Sequence, residues 1–317
     1  MRTIDLIVPI YNEEISLQNF VEEVIKIQGH IDSEVKLRVL FVDDGSTDNS
    51  WNEVMKISTK LSDTISIAGL RLSRNYGKES ALYAGIVNSS ADAMIPIDVD
   101  LQDPPALIPD FVDAWVSGAR MVVAYRSNRI GDGVFKRKSA EYFYKIFNAI
   151  SDIQIPNNVG DFRLIDRTVA RDITRITESN KFMKGIFSYV AKPDAEIPFV
   201  REIGLRSKQN QPTQNFGKLL NLAELALTSA GPKLFRKLLA FLIVFDTALI
   251  FYGLFVLFLK FVSGEPFEGF ASIILLIILT SSVQLTLLTI FGLIISRVYL
   301  ESKNRPSYFV REEVNLS

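Results

Sequence analysis

Ala93-Met-Ile-Pro-Ile-Asp-Val-Asp-Leu-Gln-Asp-Pro-Pro105 is an apolar run that ends in acid. Met94 to Ile97 read as a strand, and Asp98, Asp100 and Gln102 follow at every second position. In an extended backbone residues two apart point the same way, so the spacing predicts three oxygen-bearing side chains on one face. Pro104 and Pro105 stop the strand. Hard oxygen donors at a strand's carboxyl end are what a divalent cation holding phosphates needs. A solvated acidic turn has the same composition, so the neighbouring segments must decide.

Those segments repeat one plan. Thr3 to Ile10 is a β-branched run, followed by Tyr11-Asn-Glu-Glu14 and an amphipathic stretch to about Ile27. Val35 to Val42 ends in Asp43-Asp-Gly-Ser-Thr-Asp-Asn-Ser50, where Gly45 permits a tight turn and Ser46 or Thr47 is expected to cap the next helix. Ile65 to Leu72 ends in Ser73-Arg-Asn-Tyr-Gly-Lys78, before a helix over 79–88. Helix over 106–117, strand over 120–125 and helix over 135–150 continue the series. Strands alternating with helices predict an α/β fold whose mainly parallel sheet is covered on both faces. Ligands of such sheets bind beyond the carboxyl ends of the strands. The polar residues Tyr11, Glu13, Asp43, Asp44, Arg74, Lys78, Asp98 to Asp103 and Arg126 gather there. Neither G-x-G-x-x-G nor G-x-x-x-x-G-K-[ST] occurs, which disfavours a dinucleotide fold and a P-loop enzyme. Further on, Gly160 to Ile165 reads as a strand entering the site, with Asp161 and Arg163 open to a structural ion pair as well.

Composition narrows the class. The net charge of −1 gives no basic excess for nucleic acid, and the absence of cysteine excludes disulfides and cysteine-ligated metal. His30, the only histidine, falls in an expected loop and receives no role. The N-terminal run carries an acid within a short apolar stretch and does not read as a signal peptide. Residues 213–229 space apolar side chains along one helical face, suited either to a membrane surface or to a neighbouring element. Leu238 to Val262 and Ala271 to Ser296 are each long enough to cross a hydrocarbon core of about 30 Å. Lys233, Arg236 and Lys237 precede the pair and Arg297, Lys303 and Arg305 follow it, while the connector 263–270 has no lysine or arginine. Both termini are therefore expected in the cytoplasm. Asp246 within the first span is expected to face a partner helix or subunit, which favours a homo-oligomer.

Together these residues resemble the membrane-anchored polyprenyl-phosphate glycosyltransferases, relatives of dolichol-phosphate mannose synthase in the inverting GT-A class. The resemblance is carried by Val8-Pro-Ile-Tyr-Asn-Glu-Glu14, Phe41-Val-Asp-Asp-Gly-Ser-Thr-Asp-Asn-Ser50, Leu72-Ser-Arg-Asn-Tyr-Gly-Lys-Glu-Ser-Ala-Leu82, Asp98-Val-Asp-Leu-Gln-Asp-Pro-Pro105 and Gly160-Asp-Phe-Arg-Leu164. Arg297-Val-Tyr-Leu-Glu-Ser-Lys-Asn-Arg-Pro-Ser-Tyr308 is similar to the tail of the two-span bactoprenol glucosyltransferase branch. Residues 206–215, and Tyr189-Val-Ala191 before them, depart from the pattern.

The resemblance implies a GT-A catalytic domain over 1–212, juxtamembrane helices over 213–237, two spans in the cytoplasmic membrane and a cytoplasmic tail over 297–317. It implies a nucleotide-sugar donor, UDP-glucose above others, and a polyprenyl phosphate acceptor. Pro9, Tyr11, Glu13, Asp43, Lys78 and Asp98 would bind the donor. Asp98, Asp100 and Gln102 would hold Mg2+ or Mn2+. Arg126, Lys136, Arg137 and Ser139 would receive the acceptor phosphate, and Asp100, Asp161 and Arg126 would carry catalysis. Near neutral pH a phosphate monoester is already largely an anionic nucleophile, its second pKa being about 6. Asp161 is therefore read as orienting rather than as a strong base. A processive polysaccharide synthase would carry Gln-x-x-Arg-Trp, and neither Trp51 nor Trp115 stands in that setting. Another UDP- or GDP-sugar, or an inactive membrane-bound nucleotide-sugar sensor, fits the same motifs.

Overall fold

The computed structural model describes residues 1–59, 65–128, 159–178, 181–200, 232–263 and 269–316. They fall into two compact units, one built from the N-terminal 200 residues with the segment from Arg305 onward, the other from two long helices.

The first unit is an eight-stranded sheet. Its strands are β1 (Arg2–Ile10), β2 (Val35–Asp43), β3 (Ser66–Leu72), β4 (Ala93–Pro96), β5 (Met121–Asn128), β6 (Val159–Asp166), β7 (Ala195–Val200) and β8 (Val310–Val314). Their order is β7-β5-β6-β4-β1-β2-β3-β8. The pairs among β1 to β4 are parallel, as is β5 with β7, whereas β6 and β8 run antiparallel to their neighbours.

The two-residue period sorts side chains between two cores. Ile4, Leu6, Val8 and Ile10 join Leu37, Val39 and Phe41 on one face; Ile7, Leu40 and Val42 face the other. The first face is covered by α1 (Leu17–Gln28), α2 (Ser50–Thr59) and α4 (Ile108–Val116), the second by α3 (Lys78–Asn88), α5 (Arg167–Thr174) and α6 (Met183–Val190). In α1 the buried residues are Leu17, Phe20, Val21, Val24 and Ile27, the spacing of a single helical stripe.

Three expectations change. The acidic stretch is not extended past Pro96: β4 ends there, and the backbone turns with Leu101 at φ 57°. Asp98, Asp100 and Gln102 therefore lie along a turn, in which Gln102 N donates to Asp100 Oδ1 at 3.1 Å, rather than on one face of an extended strand. Neither Ser46 nor Thr47 caps α2. The helix begins at Ser50, whose N–H and hydroxyl both donate to Asp48 Oδ1, because Asp48 stands closer to the helix start. The segment after the second apolar run is not a free tail, since Val310–Val314 completes the sheet beside β3.

In the second unit, α7 (Pro232–Ser263) and α8 (Phe270–Ser302) contain the two apolar runs. Among the described residues one stretch, Leu276–Ser302, is long and apolar enough to cross a membrane, and Ala240–Phe255 is a shorter apolar run. The side chain of Asp246, the helix expected over 135–150 and the amphipathic stretch 213–229 lie outside the described residues.

Candidate active site

At the carboxyl ends of β1 and β2 two loops are knitted into one floor. Asn12 N donates to Ser46 Oγ, and the Asn12 amide oxygen accepts from Thr47 N at 2.9 Å. Glu13 N donates to Ser50 Oγ. Pro9 is half-buried in this floor, and Tyr11 is 45% exposed above it. Asp43 and Asp44 are both buried. Asp43 Oδ1 accepts from Ser46 N, while the two Asp44 oxygens accept from Tyr76 N and Gly77 N at 2.7 and 2.8 Å. Burial pushes the Asp44 carboxyl above its ordinary pKa despite those two bonds. Gly45 sits at φ +71°, and a Cβ there would lie 2.5 Å from the Arg74 carbonyl carbon, so the turn fits only without a side chain. Asp43, expected to touch the donor, is fully covered and holds the backbone of the loop after it.

The chemistry-bearing cluster lies at the ends of β4 and β6. Lys78, the first residue of α3, places its ammonium 2.7 Å from Asp98 and 3.5 Å from Asp161. The surrounding protein works against its charge, but Asp98 and Asp161 outweigh that and hold its pKa above the usual value. Glu79 lies beside them with its carboxylate accepting from Met183 N, the first residue of α6. Burial, then Asp161, raises the Glu79 pKa. A recess between these groups is lined by Pro9, Lys78, Asp98, Asp103, Asp161 and Phe162.

Beneath Asp161, Arg163 is buried on the same strand face. Its guanidinium donates to Gly160 O at 2.6 Å and stacks over the Phe187 ring, 4.2 Å from its centre. Burial pushes its pKa down to about 10, against the pull of Asp161. Among the described residues, Arg163 Nε and Asp161 Oδ1 are buried without hydrogen-bond partners. The cluster thus keeps unused donor and acceptor capacity beneath the recess.

The oxygens of Asp98, Asp100 and Gln102 suit a hard divalent cation. Among the described residues no three acids or histidines close into a cage. A magnesium-type ion does not require one, because one or two carboxylates bind it while substrate phosphates complete its shell. The ammonium of Lys78 against Asp98 shows that this surface already holds positive charge.

Arg126 lies within β5, two residues before its end at Asn128, and pairs with Phe199 of β7, but its side chain lies outside the described residues. Lys136, Arg137 and Ser139 lie outside them altogether. Sequence reasoning missed Glu79 as a member of the cluster, although it stands inside a quoted motif beside Lys78. Arg163, read as part of a strand entering the site or as an ion-pair partner of Asp161, is buried against Phe187 and Gly160 O.

A parallel-centred α/β sheet with acids and a lysine converging beyond its strand ends defines a transferase of the GT-A type. The chain belongs to glycosyl transferase family 2, whose model matches residues 5–174. Over 313 residues it is 39% identical to the "Bactoprenol glucosyl transferase" of Shigella phage SfV, covering 98% of each chain. It is 36% identical over 308 residues to a "Prophage bactoprenol glucosyl transferase homolog" of Escherichia coli, covering 97% of this chain and 98% of that one.

Proposed function

We propose that this glycosyltransferase moves glucose from UDP-glucose onto the phosphate of a polyprenyl phosphate at the cytoplasmic membrane face. Likeness at 36–39% identity over nearly the full length of bactoprenol glucosyl transferases supports a glucosyl group and a polyprenyl acceptor. The observation that carries the chemistry is Lys78 held between Asp98 and Asp161 at the carboxyl end of the sheet. An acceptor phosphate oxygen attacks the anomeric carbon as the bond from that carbon to the diphosphate oxygen breaks. UDP leaves with the electron pair, and the configuration inverts. No proton need be removed from the nucleophile, so Asp161 serves to orient.

Lys78 neutralises charge developing on the leaving diphosphate. Asp98, Asp100 and Gln102 would hold Mg2+ or Mn2+, which supplies further neutralisation there. Tyr11, Glu13 and Pro9 would contact the nucleoside, with Asp43 supporting them from below. Arg126, Lys136, Arg137 and Ser139 are proposed to hold the acceptor phosphate.

Parity supports the two-span reading. Strand β8 pairs with β3, so chain before α7 and chain after α8 must lie on one side of the membrane. A single crossing would separate them. If Leu276–Ser302 crosses, α7 crosses too, and large apolar side chains exposed on both helices, among them Phe251, Phe258, Leu288 and Ile295, suit lipid. The flanking lysines and arginines support a cytoplasmic location for the shared side.

The test is a panel of labelled UDP- and GDP-sugars given to the purified full-length protein with polyprenyl phosphate. Label from UDP-glucose should pass into the organic phase with release of UDP. Transfer from no donor, or only into a soluble acceptor, would refute the proposal.

A further inference from the structure

Strand β8 brings a carboxylate to the back of the donor floor. Glu312 lies opposite Arg71 of β3 and divides its oxygens among three partners, with Arg311 Nε 3.4 Å from Oε1. Oε1 accepts from an Arg71 Nη at 3.1 Å and Oε2 accepts from Trp51 Nε1 at 2.8 Å. Gly69 makes room for this packing, since a Cβ there would stand 2.9 Å from Val314 and 3.1 Å from the Trp51 ring. Arg71 also lies over the Trp51 ring, 5.8 Å from its centre, and sets its Nε 3.3 Å from Asp43 Oδ2. That approach is an ion pair that is not aligned as a hydrogen bond. The other Asp43 oxygen holds Ser46 N, and Ser46 Oγ holds Asn12 N.

We propose that Glu312 is a positioning residue for the nucleotide end of the donor site, acting through Arg71 on Asp43 and the 43–50 loop. The proposal rests on the donor reading above. A guanidinium beside a buried carboxylate favours two parallel hydrogen bonds. Here Glu312 engages one Nη and Trp51 lies against the ring side, so Arg71 presents Nε alone to Asp43. Released from Glu312, Arg71 can turn its fork onto Asp43 and compete with Ser46 N for that carboxylate. The loop that ties Asn12 and Glu13 in place would then loosen. A residue contributed after the second apolar helix thereby sets the fit of a pocket built by the first fifty residues.

Glu312→Gln separates this role from simple edge-strand stability, because the amide oxygen can still accept from Trp51 while the charge toward Arg71 is gone. The full-length protein is assayed with UDP-glucose varied and polyprenyl phosphate saturating, alongside its thermal unfolding midpoint. The KM for UDP-glucose should rise roughly two- to fivefold, the scale of a half-exposed ion pair. The kcat, the acceptor KM and the unfolding midpoint should stay at wild-type values. Arg71→Gln should raise the donor KM as well, and adding Glu312→Gln to it should change nothing further. A lowered midpoint with unchanged donor KM, or two effects that multiply independently, would overturn the proposal. If the wild-type protein shows no saturable use of UDP-glucose, the donor reading itself has failed and takes this inference with it. A normal wild-type KM matched by Glu312→Gln removes the positioning role alone.

Discussion

Replacing Lys78 by methionine keeps most of the stem and deletes the charge between Asp98 and Asp161. Opposite charges 4 Å apart attract by about 4 kcal/mol at an effective dielectric of 20 and by about 1 kcal/mol in water. With 45% of the Lys78 side chain exposed, the resting pair belongs at the lower end, about 1 kcal/mol. Removing one preorganised donor to developing charge costs about 2.7–4 kcal/mol in the transition state. Only the excess over the resting interaction accelerates the reaction, so about 2–3 kcal/mol remains. Lys78→Met should therefore lower kcat by roughly 30- to 150-fold. Steady-state transfer of labelled glucose into extractable lipid, with donor and acceptor each saturating, measures it. Lys78→Arg should recover part of the loss. A correctly folded Lys78→Met protein within about threefold of wild type would refute the electrostatic role.

Asp100→Asn preserves shape but removes one anionic oxygen from the proposed cation site, and should cost at least about 100-fold in turnover, by analogy with loss of one electrostatic stabiliser. Chelator should abolish wild-type turnover and added Mg2+ or Mn2+ should restore it, whereas full activity in excess chelator contradicts the metal assignment. Glu79 has a folded-state pKa above its unfolded value, so its contribution is fully present below about pH 4.5, the unfolded value, and is lost as pH rises through the folded pKa. Glu79→Gln can still accept from Met183 N, and should flatten that part of the profile of unfolding midpoint against pH; an unchanged profile counts against a strained Glu79. Gly45→Ala forces a side chain into positive φ and into the Arg74 backbone, and should destabilise by about 1–3 kcal/mol, read as a lower midpoint together with a higher donor KM. A midpoint within error of wild type would show that the two loops are not packed as described.

The centre of the sheet was legible because its strands are buried on both faces. Val39 to Val42 and Leu6 to Ile10 are continuous apolar runs, and each ends in a polar turn that the topology places on one edge. The acidic motif was legible as chemistry but not as geometry, since nothing local distinguishes an extended Asp-Val-Asp-Leu-Gln from one turned at Leu101. Strand β8 was illegible for a different reason. Val310-Arg-Glu-Glu-Val314 is mostly exposed, with no alternating apolar face, and its conformation comes from pairing with a strand far away in sequence. Asp43 reads as a ligand contact by position, while in the structure it is buried with Arg71 Nε 3.3 Å away, a partner that no spacing rule connects to it.

The pairing of Gly69 with Val314 also dictates an order of events during synthesis. The β3 edge cannot be closed until Val310 to Val314 have left the ribosome, by which time both apolar helices have already emerged. On the two-span reading, insertion into the bilayer precedes completion of the sheet. Until then β3 offers an unpaired strand edge, a template for pairing with another chain. Chains cut short before Val310 would keep that edge open permanently, so loss of a handful of exposed residues should appear first as aggregation of nascent protein rather than as slow catalysis.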